Sequence, residues 1–455
     1  MFKLLTIVSL LLPVFSFAEV SFDGNKSEIK EKIMSVETPQ ASVSKAIKEQ
    51  KEWTVMVFLN AKNDLEKFGI KDMNEMEMIG SSDKVNIVVE MGRIKGYDSS
   101  NGDWTGVRRY YITKDNDTNI INSTLISDMG DVDMGDYKSL VAFVKWAKEA
   151  YPAKRYLLVI WNHGSGWEKG FKSSVTKGIS YDEASGNHIN TPQLGMALKE
   201  IGYVDILNFD ACLMQMAEVA YEIRTHVKYI VASEETEPGD GNTYNTFLDK
   251  LIAKPTMTPL ELSKAMVDSF SSHYQSTGDG STLSVIDAER MAGFLKKLNE
   301  FAYALSKIGD KNLVKTAASQ TQSYAVSDNK DIYHFASLIY SQTTNSEVKT
   351  KAQDLMSFIK TNLVKYNKYT NSSSGWWGPT DYSNSNGIAI YLPSYSIANG
   401  YSELQWSKYS NWDEFLAWYI GKDATATTTP STTTPTQPYN SWYEWLFGGQ
   451  HYSIK

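Results

Sequence analysis

Two residues of this sequence have the type and the placement needed for nucleophilic catalysis, His163 and Cys212. Each follows a short run of aliphatic and β-branched residues, at 155–161 and at 204–209. Such runs predict strands that are buried on both faces. A thiol attacks a carbonyl well once an imidazole has taken its proton, and the same imidazole can protonate the leaving amine. The pair therefore predicts a Cys–His hydrolase.

The elements between these residues predict how they meet. Residues 191–201 indicate a helix, with Thr191 as its cap and Pro192 at the first helical position. Strand–helix–strand makes the two strands parallel neighbours, so both residues emerge at the carboxyl edge of an α/β sheet, where ligands bind. The backbone amides of Gly164 and Cys212 are the candidate oxyanion donors, and a glycine allows close backbone approach.

Two other functions remain open for the same residues. Cys212 is the single cysteine of the chain, and a lone thiol is either a buried core residue or a nucleophile. Its place after a strand favours the nucleophile. The alternatives are a non-catalytic surface binding module on a Thr/Pro stalk, with Trp376, Trp377 and an aromatic tail as its ligand platform, and another acyl hydrolase or transpeptidase that uses the same pair.

Composition and the first residues predict an exported protein. The 455 residues carry a formal net charge of −8 without basic clusters, which argues against nucleic acid as a partner. Residues 1–18 resemble a secretory signal, with Lys3 before an apolar run and small residues at 16 and 18. No later segment is long and apolar enough to cross a membrane. We expect a monomer that is secreted, periplasmic or at the cell surface.

The remaining chain divides by composition. We predict a tether or pro-segment at 19–50, a catalytic core at 51–255, a helical extension contributing further strands at 256–422, a Thr/Pro-rich linker at 423–438 and an aromatic tail at 439–455. No cofactor is predicted. The acidic loop at 128–136 lacks the spacing and final Glu of a calcium-binding EF-hand loop, and capping of the next helix by Asp136 is the preferred interpretation.

The motifs N-H-G-S-G-W at 162–167 and D-A-C-L-M at 210–214 together resemble the clostripain family of cysteine peptidases, which shares a clan with caspases, gingipains and legumain. The resemblance implies a caspase-like, mostly parallel α/β sheet flanked by helices, His163 and Cys212 as the catalytic pair, and protein or peptide substrates cut after Arg or Lys. Two carboxylates, Asp210 and Asp240, would bind such a cation. Their alternative roles are a turn or cap for Asp210 and an Asp-Gly turn for Asp240.

The resemblance also implies a zymogen that cuts itself between the His and the Cys. The Lys177–Gly178 bond is our candidate, with Lys169 and Lys172 as alternatives, and an uncut solvated loop is an equally good interpretation. Clostripain's use of calcium is a further implication, but the sequence contains no diagnostic Ca²⁺ loop, so no metal ligands are predicted.

Overall fold

The architecture is a central sheet of nine strands with helices on both faces. The computed structural model describes residues 50–167, 178–375 and 378–421. The strands of the whole described chain are β1 Lys51–Ala61, β2 Val85–Arg93, β3 Gly106–Tyr111, β4 Thr124–Gly130, β5 Ala153–Trp161, β6 Ile179–Asp182, β7 Asn187–Ile189, β8 Val204–Asp210, β9 Val227–Ala232, β10 Ser281–Asp287, β11 Asn329–Asp331, β12 Val364–Thr370, β13 Ser372–Gly375, β14 Gly378–Thr380 and β15 Ala389–Tyr391.

Helices fill the connections between these strands. The α-helices are α1 Glu66–Glu77, α2 Tyr137–Ala150, α3 Thr191–Ile201, α4 Ala217–Ile223, α5 Tyr244–Ala253, α6 Pro259–Thr277, α7 Met291–Ile308, α8 Lys311–Gln320, α9 Ile332–Gln342, α10 Ser346–Phe358, α11 Gln405–Tyr409 and α12 Trp412–Ile420. None of the described helices combines the length and the apolar character needed to span a bilayer.

The nine strands lie in the order β12-β10-β9-β8-β5-β1-β2-β3-β4. The five inner strands from β9 to β2 are parallel, and antiparallel strands flank them on both sides. The predicted mostly parallel α/β sheet is therefore confirmed, and so is the parallel pairing of β5 with β8. Strands β10 and β12, from the segment after residue 256, complete one side of this same sheet.

Burial on both faces of the sheet explains why its strands have continuous apolar sequences. Successive residues of β1, such as Met56 and Val57, belong to two different hydrophobic clusters, and so do Leu157 and Leu158 of β5. Because successive side chains of a strand point to opposite faces, each cluster packs one face under its helices. The described residues from Gln50 onward form one compact unit.

Local details depart from the predictions in two places near the site. Asn190, not Thr191, caps α3: its side chain accepts from the amide of Gln193, and the side-chain oxygen of Gln193 accepts from the amide of Asn190. This is a capping box, and Asn190 has extended backbone angles whereas Thr191 is already helical. The sequence after Cys212 predicts a helix at 214–226. The helix there is shorter, Ala217–Ile223, because the residues after Cys212 follow a turn instead.

Three strands outside the site also correct the predictions. The loop predicted at 128–136 begins inside edge strand β4, and β12, which lies in the predicted helical extension, was not foreseen as a strand. The apolar run at 387–392 predicts a last strand. It contains β15, which pairs with β11 outside the central sheet. By contrast, the sequence after the acidic loop predicts a helix at 137–150, and α2 has these bounds. Asp136 caps it by accepting from Lys138 N.

Candidate active site

The register of β5 and β8 places His163 and Cys212 at the same level of the sheet. Trp161 of β5 pairs with Asp210 of β8, and each site residue lies two positions further along its own chain. The amide of Asn162 donates to the carbonyl of Asp210 at 3.2 Å, which extends the pairing by one step. Since paired strands are about 4.8 Å apart, both side chains emerge together at the carboxyl edge.

Gly164 packs directly against the backbone of Cys212. A Cβ added at Gly164 would lie 2.4 Å from the Cys212 carbonyl oxygen, 3.1 Å from the Cys212 nitrogen and 3.0 Å from the Cβ of Ala211. Only glycine permits this approach. The two backbones proposed as oxyanion donors are thus in van der Waals contact.

The segment after β9 holds the turn that carries Cys212. Leu213, which has a positive φ of 62°, donates from its amide to the carbonyl of Glu235 at 3.0 Å, and Gln215 donates to the carbonyl of Ser233 at 2.9 Å. The amide of Glu237 donates to the Cys212 sulfur at 3.3 Å. These hydrogen bonds fix the half-buried thiol from the side opposite β5, and they connect the acidic loop 233–241 to the site.

The environment of the thiol favours its protonated form. Burial, followed by the charge of Glu237, raises the pKa of Cys212 to about 12, although the amides of Glu237 and of Cys212 itself work in the opposite direction. The sulfur therefore carries a proton at neutral pH. Nucleophilic attack needs a base that removes it, which is a task suited to the imidazole of His163.

The imidazole of His163 has a partner that the sequence analysis missed. Its Nε2 lies 2.7 Å from Oδ1 of Asp64, in the turn between β1 and α1. Strand β1 is the other neighbour of β5, so Asp64 reaches the same carboxyl edge. The available signal was the polar turn at 60–64 directly after a buried parallel strand.

Asp210 is a buried carboxyl with several hydrogen bonds. It is 4% exposed, its Oδ2 accepts from the hydroxyl of Tyr244 at 2.8 Å and its Oδ1 from the amide of Asn242 at 3.0 Å. Burial raises its pKa to about 6, while the hydrogen bonds from Tyr244, Asn242 and Glu237 lower it. Burial and the charge of Asp210 also raise the pKa of Glu237 well above its usual range, so these two carboxyls hold protons more tightly than free ones.

Asp240 lies on the acidic loop 233–241, but it is already paired. Its carboxylate, 40% exposed, is 3.1 Å from the ammonium of Lys71 and 3.2 Å from Nε2 of His273. Partial burial works against ionisation, but Lys71 and His273 outweigh it and lower the pKa of Asp240. The next residue, Gly241, touches Asp210: a Cβ there would lie 2.7 Å from Asp210 Oδ1. The loop after β9 thus touches Asp210 at the end of β8 through Gly241, while the carboxylate of Asp240 on that loop faces Lys71.

Further acidic residues surround this pair. Asp72 of α1 accepts from the indole of Trp161 at 2.7 Å, and burial together with the charge of Asp210 raises its pKa well above the usual range. Glu75 binds Lys71 at 3.2 Å and also adds charge near Asp210. We call Asp72, Glu75, Asp210, Glu237 and Asp240 the acidic cluster. Its members come from α1, β8 and the loop after β9, so no local sequence signal unites them.

The candidate self-cleavage residue Lys177 lies outside the described residues, as do Lys169, Lys172, Trp376, Trp377 and the aromatic tail. The chain on either side of 168–177 is described. The amide of Ser165 donates to the carbonyl of Gly178 at 3.0 Å, and the amide of Gly178 donates back to Ser165 Oγ at 3.0 Å. Gly178 therefore lies beside Ser165, which is two residues after His163 in the chain.

The acidic loop near 128–136 uses its carboxylates within the protein. Asp128 pairs with Arg108 at 3.0 Å, and Asp131 with Lys62 at 3.3 Å. Asp133 accepts from Gly135, Ser185 and Asn187. Within the described ranges, no group of three or more His, Cys, Asp or Glu side chains is arranged to hold a metal ion.

Comparison with known proteins gives an independent result. The model of the clostripain family, Peptidase_C11, matches residues 57–419. Clostripain from Hathewaya histolytica is 27% identical over 221 residues, which are 44% of this chain and 42% of that protein. The match thus spans less than half the length of this relative.

Solved structures share the fold. A secreted C11 cysteine protease from Bacteroides thetaiotaomicron in complex with an irreversible peptide inhibitor gives a TM-score of 0.61 at 21% identity, over 80% of this chain and all of that one. An inactive zymogen C11 protease from Parabacteroides distasonis gives 0.60 at 19% identity, over 79% of this chain and 98% of that one. With the family match extending over most of the sequence, this chain belongs to the clostripain family of peptidases.

Proposed function

We propose that the chain is an exported cysteine endopeptidase that cuts peptide bonds after Arg or Lys. The observation that carries the proposal is the contact of Gly164 with Cys212, which brings the ends of β5 and β8 together in a member of a peptidase family. A substrate would lie along this carboxyl edge, as ligands of open α/β sheets do.

The reaction follows from the placement of the groups. His163 takes the thiol proton, and the Cys212 sulfur attacks the substrate carbonyl while the amides of Gly164 and Cys212 bind the oxyanion. The tetrahedral intermediate collapses, the amine leaves with the proton from His163, and a thioester remains. Water, deprotonated by His163, then hydrolyses the thioester and restores the thiol.

The acidic cluster supports the basic specificity. Burial raises the pKa values of three of its carboxyls, Asp72, Asp210 and Glu237. The neighbouring ammonium of Lys71 forms its ion pairs with the other two members, Glu75 and Asp240. A guanidinium or ammonium that enters beside Asp210 and Asp240 would let the cluster ionise and would gain charge-assisted hydrogen bonds. It would also compete with Lys71 for Asp240.

Self-processing at Lys177–Gly178 is part of the proposal. The hydrogen bond between Gly178 and Ser165 supports it, because Gly178, the residue after the proposed cut, lies close in the chain fold to the residue two positions after His163. Lys169 and Lys172 lie in the same segment and remain the alternatives. Export rests on the signal-like residues 1–18.

The test is hydrolysis of matched fluorogenic peptides that end in Arg, Lys or Asp, by the purified protein and by Cys212→Ala. Cleavage after Arg or Lys alone that is absent from the variant is the expected result. Cleavage after Asp, or activity that survives the substitution, would contradict the proposal. Addition of an amine acceptor tests for transpeptidation, and a peptide bond transferred to that amine in place of hydrolysis would identify the other acyl chemistry.

Processing is read from the same preparations by mass spectrometry. A new N-terminus at Gly178 that forms only when Cys212 is present would support self-cleavage. A chain that stays intact while it hydrolyses peptides would show that processing is not required.

A further inference from the structure

Asp64 and His163 form a pair at the catalytic edge. Oδ1 of Asp64 lies 2.7 Å from Nε2 of His163, and the two side chains are 48% and 42% exposed. They follow adjacent parallel strands, β1 and β5, with Leu59 paired to Trp161. The strand order β8-β5-β1 therefore places His163 between Cys212 on one side and Asp64 on the other.

Buried amides tie the two turns to each other. Asn63, which is fully buried, donates to the carbonyl of Tyr181 at 3.0 Å and accepts from the amide of Leu65 at 3.0 Å. Asn162 donates to the same Tyr181 carbonyl at 3.1 Å and to the carbonyl of Asn60 at 2.5 Å. The residues immediately before Asp64 and before His163 are thus joined through one carbonyl, which fixes the separation of the two turns.

A buried ion pair fixes the other side of the Asp64 turn. Arg93 and Glu66, both fully buried, meet at 2.6 Å, and the guanidinium also donates to the carbonyls of Asp98 and Ser100. Glu66 starts α1 two residues after Asp64. Because Asn63 and Glu66 already hold the turn, the exposed carboxylate of Asp64 is not needed to shape it.

The chemistry of this pair depends on which imidazole nitrogen carries the proton. A neutral imidazole has one N–H and one acceptor nitrogen. An N–H at Nε2 donates to Asp64, which leaves Nδ1 to accept the proton of the Cys212 thiol. The carboxylate also stabilises the imidazolium that forms after this transfer, as the Asp of a Ser–His–Asp triad does.

We propose that Asp64 is a positioning residue that holds His163 in the Nε2–H tautomer and aims Nδ1 at Cys212. This inference rests on the proposed peptidase function and adds Asp64 as a third member to the proposed catalytic pair of His163 and Cys212. Tyr97 and Glu183 are titratable groups near Asp64: the hydroxyl of Tyr97 donates to Glu183 at 2.6 Å, and Glu183, ahead of the charge of Asp64, raises the pKa of Tyr97.

The decisive variants are Asp64→Asn, Asp64→Glu and the control Glu183→Gln. Asn has the same shape but no charge, and its NH₂ group can donate to Nε2 and select the wrong tautomer. We expect Asp64→Asn to lower kcat on an Arg peptide by about 10- to 100-fold. This is less than the full contribution of a general base, because solvent weakens the interaction of the half-exposed Asp64 and His163 side chains. KM should stay within about twofold. Asp64→Glu should recover much of the loss, and Glu183→Gln, which removes a neighbouring charge, should match the wild type.

A kcat for Asp64→Asn within about twofold of the wild type would overturn the inference, and so would a loss that appears in KM alone or equally in Glu183→Gln. Thermal melting of each variant checks the fold. If the wild-type protein cuts no peptide, the proposed function fails. The rate at which iodoacetamide alkylates Cys212 then tests the positioning role of Asp64 separately. Slower alkylation in Asp64→Asn than in Glu183→Gln supports the positioning role, and equal rates refute it.

Discussion

Replacement of Gly164 by Ala tests the central contact of the site. The new methyl group would lie 2.4 Å from the Cys212 carbonyl oxygen, and real contacts of this kind stay beyond 3.0 Å. The ends of β5 and β8 must therefore separate by at least about 0.6 Å, since the atoms in the way are backbone and Ala211 rather than a flexible side chain. Overpacking of this kind costs about 1–3 kcal/mol. A misplacement near 1 Å can cost about 100-fold in rate.

We therefore expect Gly164→Ala to remain folded, to melt a few degrees lower and to lose about 10- to 100-fold in kcat on an Arg peptide. The matched control is Gly195→Ala in α3, where the new methyl group meets the flexible side chain of Glu222 at 2.9 Å. This variant should keep its kcat. If Gly164→Ala has wild-type kcat and stability, the two backbones are not in contact as described, and the proposed oxyanion site fails with them.

Three further predictions concern the acidic cluster and a helix cap. The pKa of Asp210 is about 6 in the folded protein and about 3.9 when unfolded, so the folded state binds the extra proton and stability should fall as the pH rises from about 4 to 6. Stability is measured as the midpoint of urea unfolding at each pH, and this midpoint should fall less over the same pH range in Asp210→Asn than in the wild type. Lys71→Ala should lower KM for an Arg peptide by about two- to fivefold because it uncovers the carboxylate of Asp240, whereas Asp240→Asn should raise KM in the same steady-state assay. Asn190→Ala should lower the free energy of unfolding by about 1 kcal/mol in urea titrations without changing kcat, since it removes the capping box of α3.

Each of these expectations has a contrary result. Equal pH slopes for the wild type and Asp210→Asn would mean that this carboxyl is solvated. Unchanged KM values in both Lys71→Ala and Asp240→Asn would remove Asp240 from the specificity pocket. A stability loss below about 0.3 kcal/mol in Asn190→Ala would show that the cap contributes little.

The sequence was sufficient to predict that His163 and Cys212 lie at one edge of the sheet, because this placement depends on local patterns and one chirality rule. Continuous apolar runs report strands buried on both faces, and a helix between two such runs makes them parallel neighbours. The positions of His163 and Cys212, each two residues past a paired strand end, followed from these rules. The bounds of α2 and its Asp136 cap were also local and were predicted correctly.

Adjacent residues with similar propensities could not be separated from sequence. Asn190 and Thr191 are both good cap formers, and the backbone decides between them: Asn190 is extended, and the helix begins at Thr191. Strand β12 was missed for a related reason. Most of its residues, Tyr366 and Asn367 among them, are partly buried without an alternating pattern. The strand follows a helical segment directly, and only pairing with β10 makes it a strand.

Only the tertiary structure decided what surrounds the two site residues. A strand has two sides, and the order β8-β5-β1 gives His163 a carboxylate partner in Asp64, 99 residues earlier in the chain. Lys71 of α1 meets Asp240 by the same kind of long-range approach, which no local pattern encodes. Sequence periodicity reports which residues are buried and where strands end, but hydrogen bonds and charges act through space, so their partners are set by the order in which the strands pack.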